Sequence, residues 1–233
     1  MIILLFGPPG CGKGTQAAFL VGKFQIPAIS TGEMFRAECQ AGTALGRRAK
    51  ALLASGKLIS DDIVNEVVAS RIGDPDCARG FLLDGYPRTV GQAAHFSGLL
   101  RERDLPDPVV IHIDVPDELL VRRLAARRQC PKCHKIYNLL SQPPALDGRC
   151  DGDGNALISR DDDREFIIRD RLRAYADQTG PVLTYYGDSN VVRVDGALPA
   201  SAVAAAIKDA VARPVARSFA GWSTEPRPLV SVD

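Results

Sequence analysis

The 233-residue sequence has no long apolar run and almost no net charge. A membrane-spanning helix needs about 18 or more consecutive apolar residues, so none is expected here. The first residues have no basic leader and only a short apolar run, which argues against a secretory signal and predicts a cytoplasmic protein. A net charge of +1, without interleaved aromatic and basic residues, gives no reason to expect a nucleic acid or a membrane as partner.

Lysine is also scarce, and the cysteines do not follow the pattern of a secreted disulfide framework. The chain has 22 arginines against 7 lysines. The planar guanidinium group suits phosphate oxygens, so the excess of arginine favours a ligand with several phosphate groups.

Three of the 6 cysteines are scattered and three are clustered late in the chain. That distribution indicates a reducing compartment.

Short apolar runs alternate with helical patterns over most of the chain. The runs predict five buried strands: Ile2–Phe6, Ala28–Ser30, Phe81–Asp84, Val109–Asp114 and Val191–Asp195. Helical periodicity covers 13–24, 32–54 with a break near Gly42, 61–72, 89–103, 116–128, 163–186 and 200–212. This alternation predicts an α/β fold with a doubly wound, parallel, five-stranded sheet flanked by helices.

Two segments interrupt the alternation. Residues 30–59 place two helices between strands, as an inserted helical subdomain would, and residues 129–160 look irregular and are long enough for a lid. The predicted division is a core of 1–29, 60–126 and 165–212, an insert of 30–59, a lid of 127–164 and an extension of 213–233. Weak periodicity in the extension, which contains Trp222, predicts a flexible segment.

The opening stretch "MIILLFGPPGCGKGTQ" predicts a phosphate-binding P-loop between a strand and a helix. Gly7, Gly12 and Lys13 have the P-loop spacing, and the glycines let backbone N–H groups turn towards phosphates at the positive end of a helix. The alternative is a glycine-rich turn without a ligand. Gly14 occupies the position where a hydroxyl usually ligates magnesium, and the threonine comes one residue later, at Thr15. Magnesium is therefore expected to be held through water and the phosphates.

The clustered cysteines predict a second site, a structural zinc knuckle. Cys130, Cys133, Cys150 and Asp153 have the spacing Cys-x2-Cys-x16-Cys-x2-Asp, and four such ligands close a tetrahedral zinc site. His134 or Asp151, each next to a cysteine, are alternative fourth ligands. A third alternative is that the thiols bind no metal.

Four blocks in order make the chain resemble the adenylate kinase family. They are "GPPGCGKGTQ", "ISTGEMFR" at 29–36, "FLLDGYPRT" at 81–89 and "SRDDD" at 159–163, and the resemblance extends over about residues 1–212. It implies the P-loop fold with an insert that binds a nucleoside monophosphate and a lid that closes over ATP. It also implies reversible, magnesium-dependent transfer of the terminal phosphoryl group of ATP to AMP, giving two ADP.

The resemblance also assigns residues to the two nucleotides. The donor site for ATP would consist of Gly10, Cys11, Gly12, Lys13, Gly14, Thr15, Arg123, Arg127, Ile136, Tyr137 and Leu198. The acceptor site for AMP would consist of Thr31, Arg36, Lys57, Leu58, Ile59, Gly85, Tyr86, Pro87, Arg88, Gln92, Arg160 and Arg171. Gln92 would read the adenine edge through its amide, the alternative being a simple helix cap.

Catalysis would depend on charge stabilisation. The groups implied are Lys13, Arg88, Arg123, Arg127, Arg160, Arg171 and Asp84. Asp84 is interpreted as a carboxylate that grips magnesium-bound water, and Asp162 and Asp163 resemble carboxylates at the hinge of the lid. One complete site per chain would make a monomer sufficient.

Three other functions compete with this interpretation. One is a nucleoside monophosphate kinase with another donor such as GTP. The others are a P-loop nucleotide switch and a zinc-ribbon protein that binds nucleic acid. Measuring ADP formed from ATP with and without AMP separates these classes.

Overall fold

Five parallel strands form the centre of the computed structural model, which describes residues 1–54 and 59–212. The strands are β1 (Ile2–Phe6), β2 (Ala28–Ser30), β3 (Phe81–Asp84), β4 (Val109–Asp114) and, last along the chain, β7 (Val191–Asp195). Their order across the sheet is β2-β3-β1-β4-β7, with every neighbouring pair parallel. The doubly wound five-stranded sheet is thus confirmed, and all five strands have the predicted bounds.

Nine α-helices lie in the described residues. They are α1 (Lys13–Phe24), α2 (Thr31–Ala41), α3 (Ala44–Ala54), α4 (Asp61–Arg71), α5 (Val90–Glu102), α6 (Asp117–Ala125), α7 (Glu165–Ala174), α8 (Gly180–Tyr186) and α9 (Ala200–Ala212). The predicted break near Gly42 is present, because Gly42 ends α2 with a left-handed φ of 64°. None of these helices is both long and apolar enough to cross a membrane.

Both faces of the sheet are buried, which explains the continuous apolar runs of its strands. In β1, Ile2, Leu4 and Phe6 pack into one apolar cluster with residues of α4, α5 and α8. Ile3 and Leu5 point to the opposite face and pack with residues of α1, α6 and α9. Each such side chain contributes roughly 1.5–3 kcal/mol through burial. The core therefore holds the carboxyl ends of the strands, and the loops that follow them, in fixed positions.

Two predicted helices have different bounds in the structure. The helix predicted over 116–128 ends at Ala125, because residues Arg127–Gln129 form strand β5, which pairs antiparallel with β6 (Ile136–Asn138). The segment 129–160, predicted to be irregular, therefore begins with a small hairpin. Backbone pairing competes with helix propensity here, and tertiary context decides the outcome.

The helix predicted over 163–186 is also divided. A 3-10 turn (Asp161–Asp163) precedes α7, and a π-turn (Tyr175–Thr179) separates α7 from α8. Pro181 accounts for the second interruption, because proline has no N–H and its ring crowds the carbonyl group four residues earlier. A π-turn inside a helix accommodates such a residue and commonly lies at a functional site.

Candidate active site

The P-loop wraps the start of α1 and holds Lys13 at its centre. Gly12 caps the helix with a left-handed φ of 103°. Gly10 lies against α6, where an added Cβ would come within 2.8 Å of the Leu124 side chain. Nζ of Lys13 donates hydrogen bonds to the carbonyl oxygens of Gly7 at 2.6 Å and Pro8 at 3.1 Å. The ammonium group is thus folded onto its own loop, next to the helix N-terminus that favours a phosphate.

A cavity of about 980 Å³ opens above the P-loop and reaches the segments predicted to bind the acceptor. Its donor side is lined by the predicted residues Gly10, Cys11, Gly12, Lys13, Gly14, Thr15, Ile136, Tyr137 and Leu198. Its other side is lined by Arg36, Asp84, Gly85, Tyr86, Pro87 and Arg88. A volume of this size suits a large ligand. The structure therefore brings most residues of the two predicted sites into one continuous space.

Six arginines line this cavity, from separate parts of the chain: Arg36, Arg88, Arg123, Arg127, Arg160 and Arg171. Two are held by carboxylates at the base of the lid. Arg127 donates to Asp163 from both Nε and Nη2, and Arg171 pairs with Asp162 at 2.9 Å. The Asp163 side chain is only 2% exposed. These ion pairs fix guanidinium groups in place before any ligand arrives.

Carboxylates balance only part of the positive charge of these arginines. Burial lowers the pKa of Arg36, of Arg88 and of Arg171. Burial, reinforced by the charges of Arg127 and Arg36, lowers the pKa of Arg160 to about 9. Within the described residues, Nη2 of Arg160 is buried without a hydrogen-bond partner. An unpaired buried donor among repelling cations indicates that an anion belongs in this space.

Three predicted acceptor residues do not line the cavity. Thr31 is 3% exposed and donates to the carbonyl oxygen of Gly85 at 2.8 Å. Gln92 is 1% exposed, and both ends of its amide bond to protein groups. Ile59 belongs to an apolar cluster of the core. Lys57 and Leu58 lie outside the described residues, as does the extension 213–233 with Trp222.

The helix cap that was the alternative interpretation of Gln92 is present at the start of α5, as part of a larger hydrogen-bond network. Thr89 is the N-cap, and its hydroxyl accepts from the backbone N–H of Gln92 at 3.1 Å. The side-chain oxygen of Gln92 then accepts from the backbone N–H of Arg88 at 2.7 Å. Nε of Arg88 donates to the carbonyl oxygen of Gly85 at 2.8 Å. This network sets the conformation of the loop that presents Arg88 to the cavity.

Sequence reasoning did not single out Tyr175 or Asp61. Tyr175 lines the cavity from the π-turn, and Asp61 accepts hydrogen bonds from both Thr89 and Gln92. The proline six residues after Tyr175 was a usable signal for a distorted helix. For Asp61 the sequence offered only an acidic residue in the first turn of a helix, which is an ordinary feature.

Four potential metal ligands meet in the segment that is predicted to form a lid. One ligand atom from each of Cys130, Cys133, Cys150 and Asp153 lies within 4.8 Å of the others. Sγ of Cys133 and Sγ of Cys150 are 3.4 Å apart. Sulfur ligands at about 2.3 Å in a tetrahedral zinc site are about 3.8 Å from each other, so the four groups fit zinc after a small expansion. The residues present are therefore suited to the metal.

The two alternative fourth ligands, Asp151 and His134, lie outside the cluster of potential metal ligands. Asp151 accepts from the backbone N–H of Ala145 at 2.8 Å and pairs with Lys135 at 3.6 Å. His134 lines the large cavity. Neither belongs to the cluster of four, and the geometry favours Asp153.

A parallel sheet in this order, a P-loop at its centre and a single cavity lined by that loop and by arginines from separate segments are the features of the class of nucleoside monophosphate kinases. The adenylate kinase family model matches residues 5–191. The adenylate kinase of Symbiobacterium thermophilum is 48% identical over 212 residues, covering 91% of this chain and 98% of that protein. The adenylate kinase of Kosmotoga olearia is 45% identical over 204 residues, or 87% and 95% of the two chains.

A third relative, the adenylate kinase of Oceanobacillus iheyensis, is 46% identical over 197 residues, covering 84% of this chain and 92% of that protein. The chain therefore belongs to the adenylate kinase family. Its activity is transfer of the terminal phosphoryl group of ATP, used with Mg²⁺, to AMP. The resemblance, the enzyme class and the reaction predicted from the sequence are confirmed.

Proposed function

We propose that the cavity binds ATP and AMP face to face and that its residues divide the reaction as follows. The P-loop from Gly10 to Thr15 cradles the donor phosphates, with Lys13 moving from its loop carbonyls onto the outer phosphates. Arg36 and Arg88, from opposite sides, grip the phosphate of AMP. The continuous cavity that joins these two groups supports this arrangement above all other observations.

The remaining arginines would stabilise the phosphoryl group in transit. Arg123, Arg127, Arg160 and Arg171 all line the cavity, which supports this role. Charge that develops on the transferred group is stabilised most by donors already in position, as the ion-paired Arg127 and Arg171 are. The acceptor phosphate is already an anion, so no general base is needed.

Magnesium would reach the site with ATP and lie near the end of β3. Asp84 lines the cavity at that end, where it can accept hydrogen bonds from metal-bound water. Gly14 supplies no hydroxyl, and this favours an indirect hold on the metal. When bound, the metal would supply positive charge that offsets the negative charge of the phosphate groups.

We also propose the division into moving parts drawn from the sequence. The core comprises 1–29, 60–126 and 165–212, the acceptor insert 30–59 and the lid 127–164. Movement of the insert would bring AMP into contact with the remaining predicted acceptor residues, which are Thr31, Lys57, Leu58, Ile59 and Gln92. Closure of both parts excludes water from the phosphoryl group. Leu198, with the backbone of Gly196 and Ala197, would touch the donor base.

Zinc would hold the lid together through Cys130, Cys133, Cys150 and Asp153. The apolar cluster of this region contains only Cys130, Tyr137 and Cys150, with Leu157 packed against it. A cluster that small cannot stabilise a segment of this length, whereas a structural metal contributes folding energy directly. Tyr137 supports the site, since its hydroxyl donates to Sγ of Cys150 at 3.4 Å.

A cytoplasmic monomer is the simplest form consistent with these proposals. One chain supplies both halves of the cavity, so a second copy adds nothing that the chemistry needs. Reduced thiols are required of the zinc ligands, and a reducing compartment provides them.

The arrangement is tested by measuring ADP formed from ATP with and without AMP, and with GTP in place of ATP. ADP formation should depend on AMP. Arg36→Ala should raise the KM for AMP roughly 10- to 100-fold, the usual worth of a charged hydrogen bond, and leave the KM for ATP unchanged. Arg173→Ala is the control, because that side chain is 76% exposed. Equal changes in both KM values would contradict the proposed division.

A further inference from the structure

Asp61 connects the start of α4 to the loop that carries Arg88. Its Oδ2 accepts from the hydroxyl of Thr89 at 2.6 Å, and its Oδ1 accepts from Nε2 of Gln92 at 2.7 Å. The other end of the Gln92 amide, Oε1, accepts from the backbone N–H of Arg88 at 2.7 Å. The Gln92 side chain is thus held at both ends by groups on separate segments.

These two partners permit only one orientation of the amide. A carboxylate accepts hydrogen bonds, and a backbone N–H donates them. If the amide were reversed, its oxygen would face the carboxylate of Asp61 and its NH2 group would face the N–H of Arg88. Gln92 is 1% exposed, so water could not relieve either clash, and each unsatisfied group would be costly.

The fixed orientation leaves one N–H and one oxygen lone pair of Gln92 for a ligand. The 6-position edge of adenine offers N1 as acceptor and the 6-amino group as donor. Hypoxanthine offers the reverse, N1–H as donor and O6 as acceptor. An amide held in one orientation therefore matches one of these bases and opposes the other.

We propose that Asp61 is a positioning residue that sets base selectivity at the acceptor site, by holding the Gln92 amide in the orientation that accepts adenine and rejects hypoxanthine. This inference rests on the proposed role of Gln92 in reading the base of AMP. It extends that role to a residue on another segment. Because Asp61 lies two residues after the end of the acceptor insert, the same contact anchors the chain that leaves the insert to the loop that carries Arg88.

The test uses the full chain with AMP and IMP as acceptors. Asp61→Asn keeps the shape but offers Gln92 a group that both donates and accepts. One of the two contacts that oppose the reversed amide is thereby removed, and only the N–H of Arg88 still opposes it. The ratio of kcat/KM for IMP to that for AMP should rise about tenfold, the worth of one buried hydrogen bond of defined polarity. The KM for ATP should not change, because the donor side is untouched.

Asp62→Asn is the matched control. Asp62 is the next residue in the first turn of α4, is exposed, and carries the same charge at the same helix end. This variant should leave the IMP to AMP ratio at the wild-type value. If Asp61→Asn does not fold, Asp61→Ser provides the same ambivalent partner with a smaller side chain.

A third variant separates failure of this inference from failure of the acceptor assignment. Gln92→Leu should abolish the discrimination between AMP and IMP. If Gln92→Leu relaxes the ratio and the Asp61 variants do not, Asp61 plays no positioning role and the proposal is overturned. If neither changes the ratio, Gln92 does not read the base and both claims fall. An equal loss with AMP and IMP in Asp61→Asn would likewise overturn it, since a structural defect has that effect.

Discussion

Neutralising Asp163 is expected to destabilise the protein strongly. Its carboxylate is 2% exposed and binds Arg127, whose side chain is 15% exposed, through two parallel hydrogen bonds. The salt bridges of the described residues give Arg127 no other carboxylate, whereas Arg171 keeps Asp162. Asp163→Asn therefore leaves one buried guanidinium without a counter-charge. Breaking such a pair by removing one partner costs roughly 3–5 kcal/mol.

The assay is urea denaturation of wild type and variant, followed by a spectroscopic probe of helix content. Asp170→Asn is the control, because Asp170 and Arg173 form an ion pair 3.3 Å long whose side chains are 60% and 76% exposed. That variant should change the free energy of unfolding by less than about 0.5 kcal/mol. The same substitution is thus compared in a buried pair and an exposed one.

Inorganic phosphate supplies a second readout. In Asp163→Asn, an added anion can take the place of the missing carboxylate beside Arg127, so phosphate should stabilise the variant more than the wild type. A loss below about 1 kcal/mol in Asp163→Asn, or equal losses in the two variants, would refute the view that the ion pair holds a buried cation.

Three further outcomes are expected. Lys13→Met should lower kcat at least about 100-fold in a coupled ADP assay while leaving the unfolding midpoint nearly unchanged, because the hydrogen bonds of Nζ go to groups of its own loop, the carbonyl oxygens of Gly7 and Pro8 and the thiol of Cys11. A near-normal rate would count against its role. Elemental analysis should find zinc in the purified protein. Cys133→Ser should lower the thermal midpoint yet retain turnover at low temperature. A wild-type protein that is fully stable without metal would contradict this. Rapid mixing with ATP and AMP should give a burst of ADP, because lid opening is expected to limit turnover, and a strictly linear onset would argue against that.

The sheet could be predicted from the sequence because burial on both faces leaves a strong signal. The runs Ile2–Phe6 and Phe81–Asp84 are almost wholly buried, and their predicted bounds are the observed ones. The P-loop could be predicted for a different reason. Its backbone needs glycine at positive φ, as at Gly12, so the residue type itself records the conformation.

The polar contacts of the site could not be predicted in the same way. Arg160 donates to Oε1 of Gln129 at 2.6 Å, and Gln92 reaches Asp61, across 31 positions of the chain in each case. Hydrophobic periodicity reports which face of an element is buried but says nothing about which polar groups meet from distant segments. The hairpin of β5 and β6 escaped prediction for another reason: its two strands have only 3 residues each, too few to show a clear periodicity.

The acidic turn Asp161–Asp163 balances part of the positive charge of the arginine cluster. Two unit charges 4 Å apart interact by about 4 kcal/mol at an effective dielectric constant of 20, so several guanidinium groups cannot share a cavity without counter-charges. Asp162 supplies the counter-charge for Arg171, and Asp163 supplies it for Arg127. Burial lowers the pKa of Arg36, and the charge of Asp162 offsets part of that decrease. In the proposed mechanism, substrate phosphates would then meet donors whose positions are already set, and little reorganisation would remain for the transition state. Asp162 and Asp163 would thus act on catalysis without touching a substrate, through the cations that they hold in place.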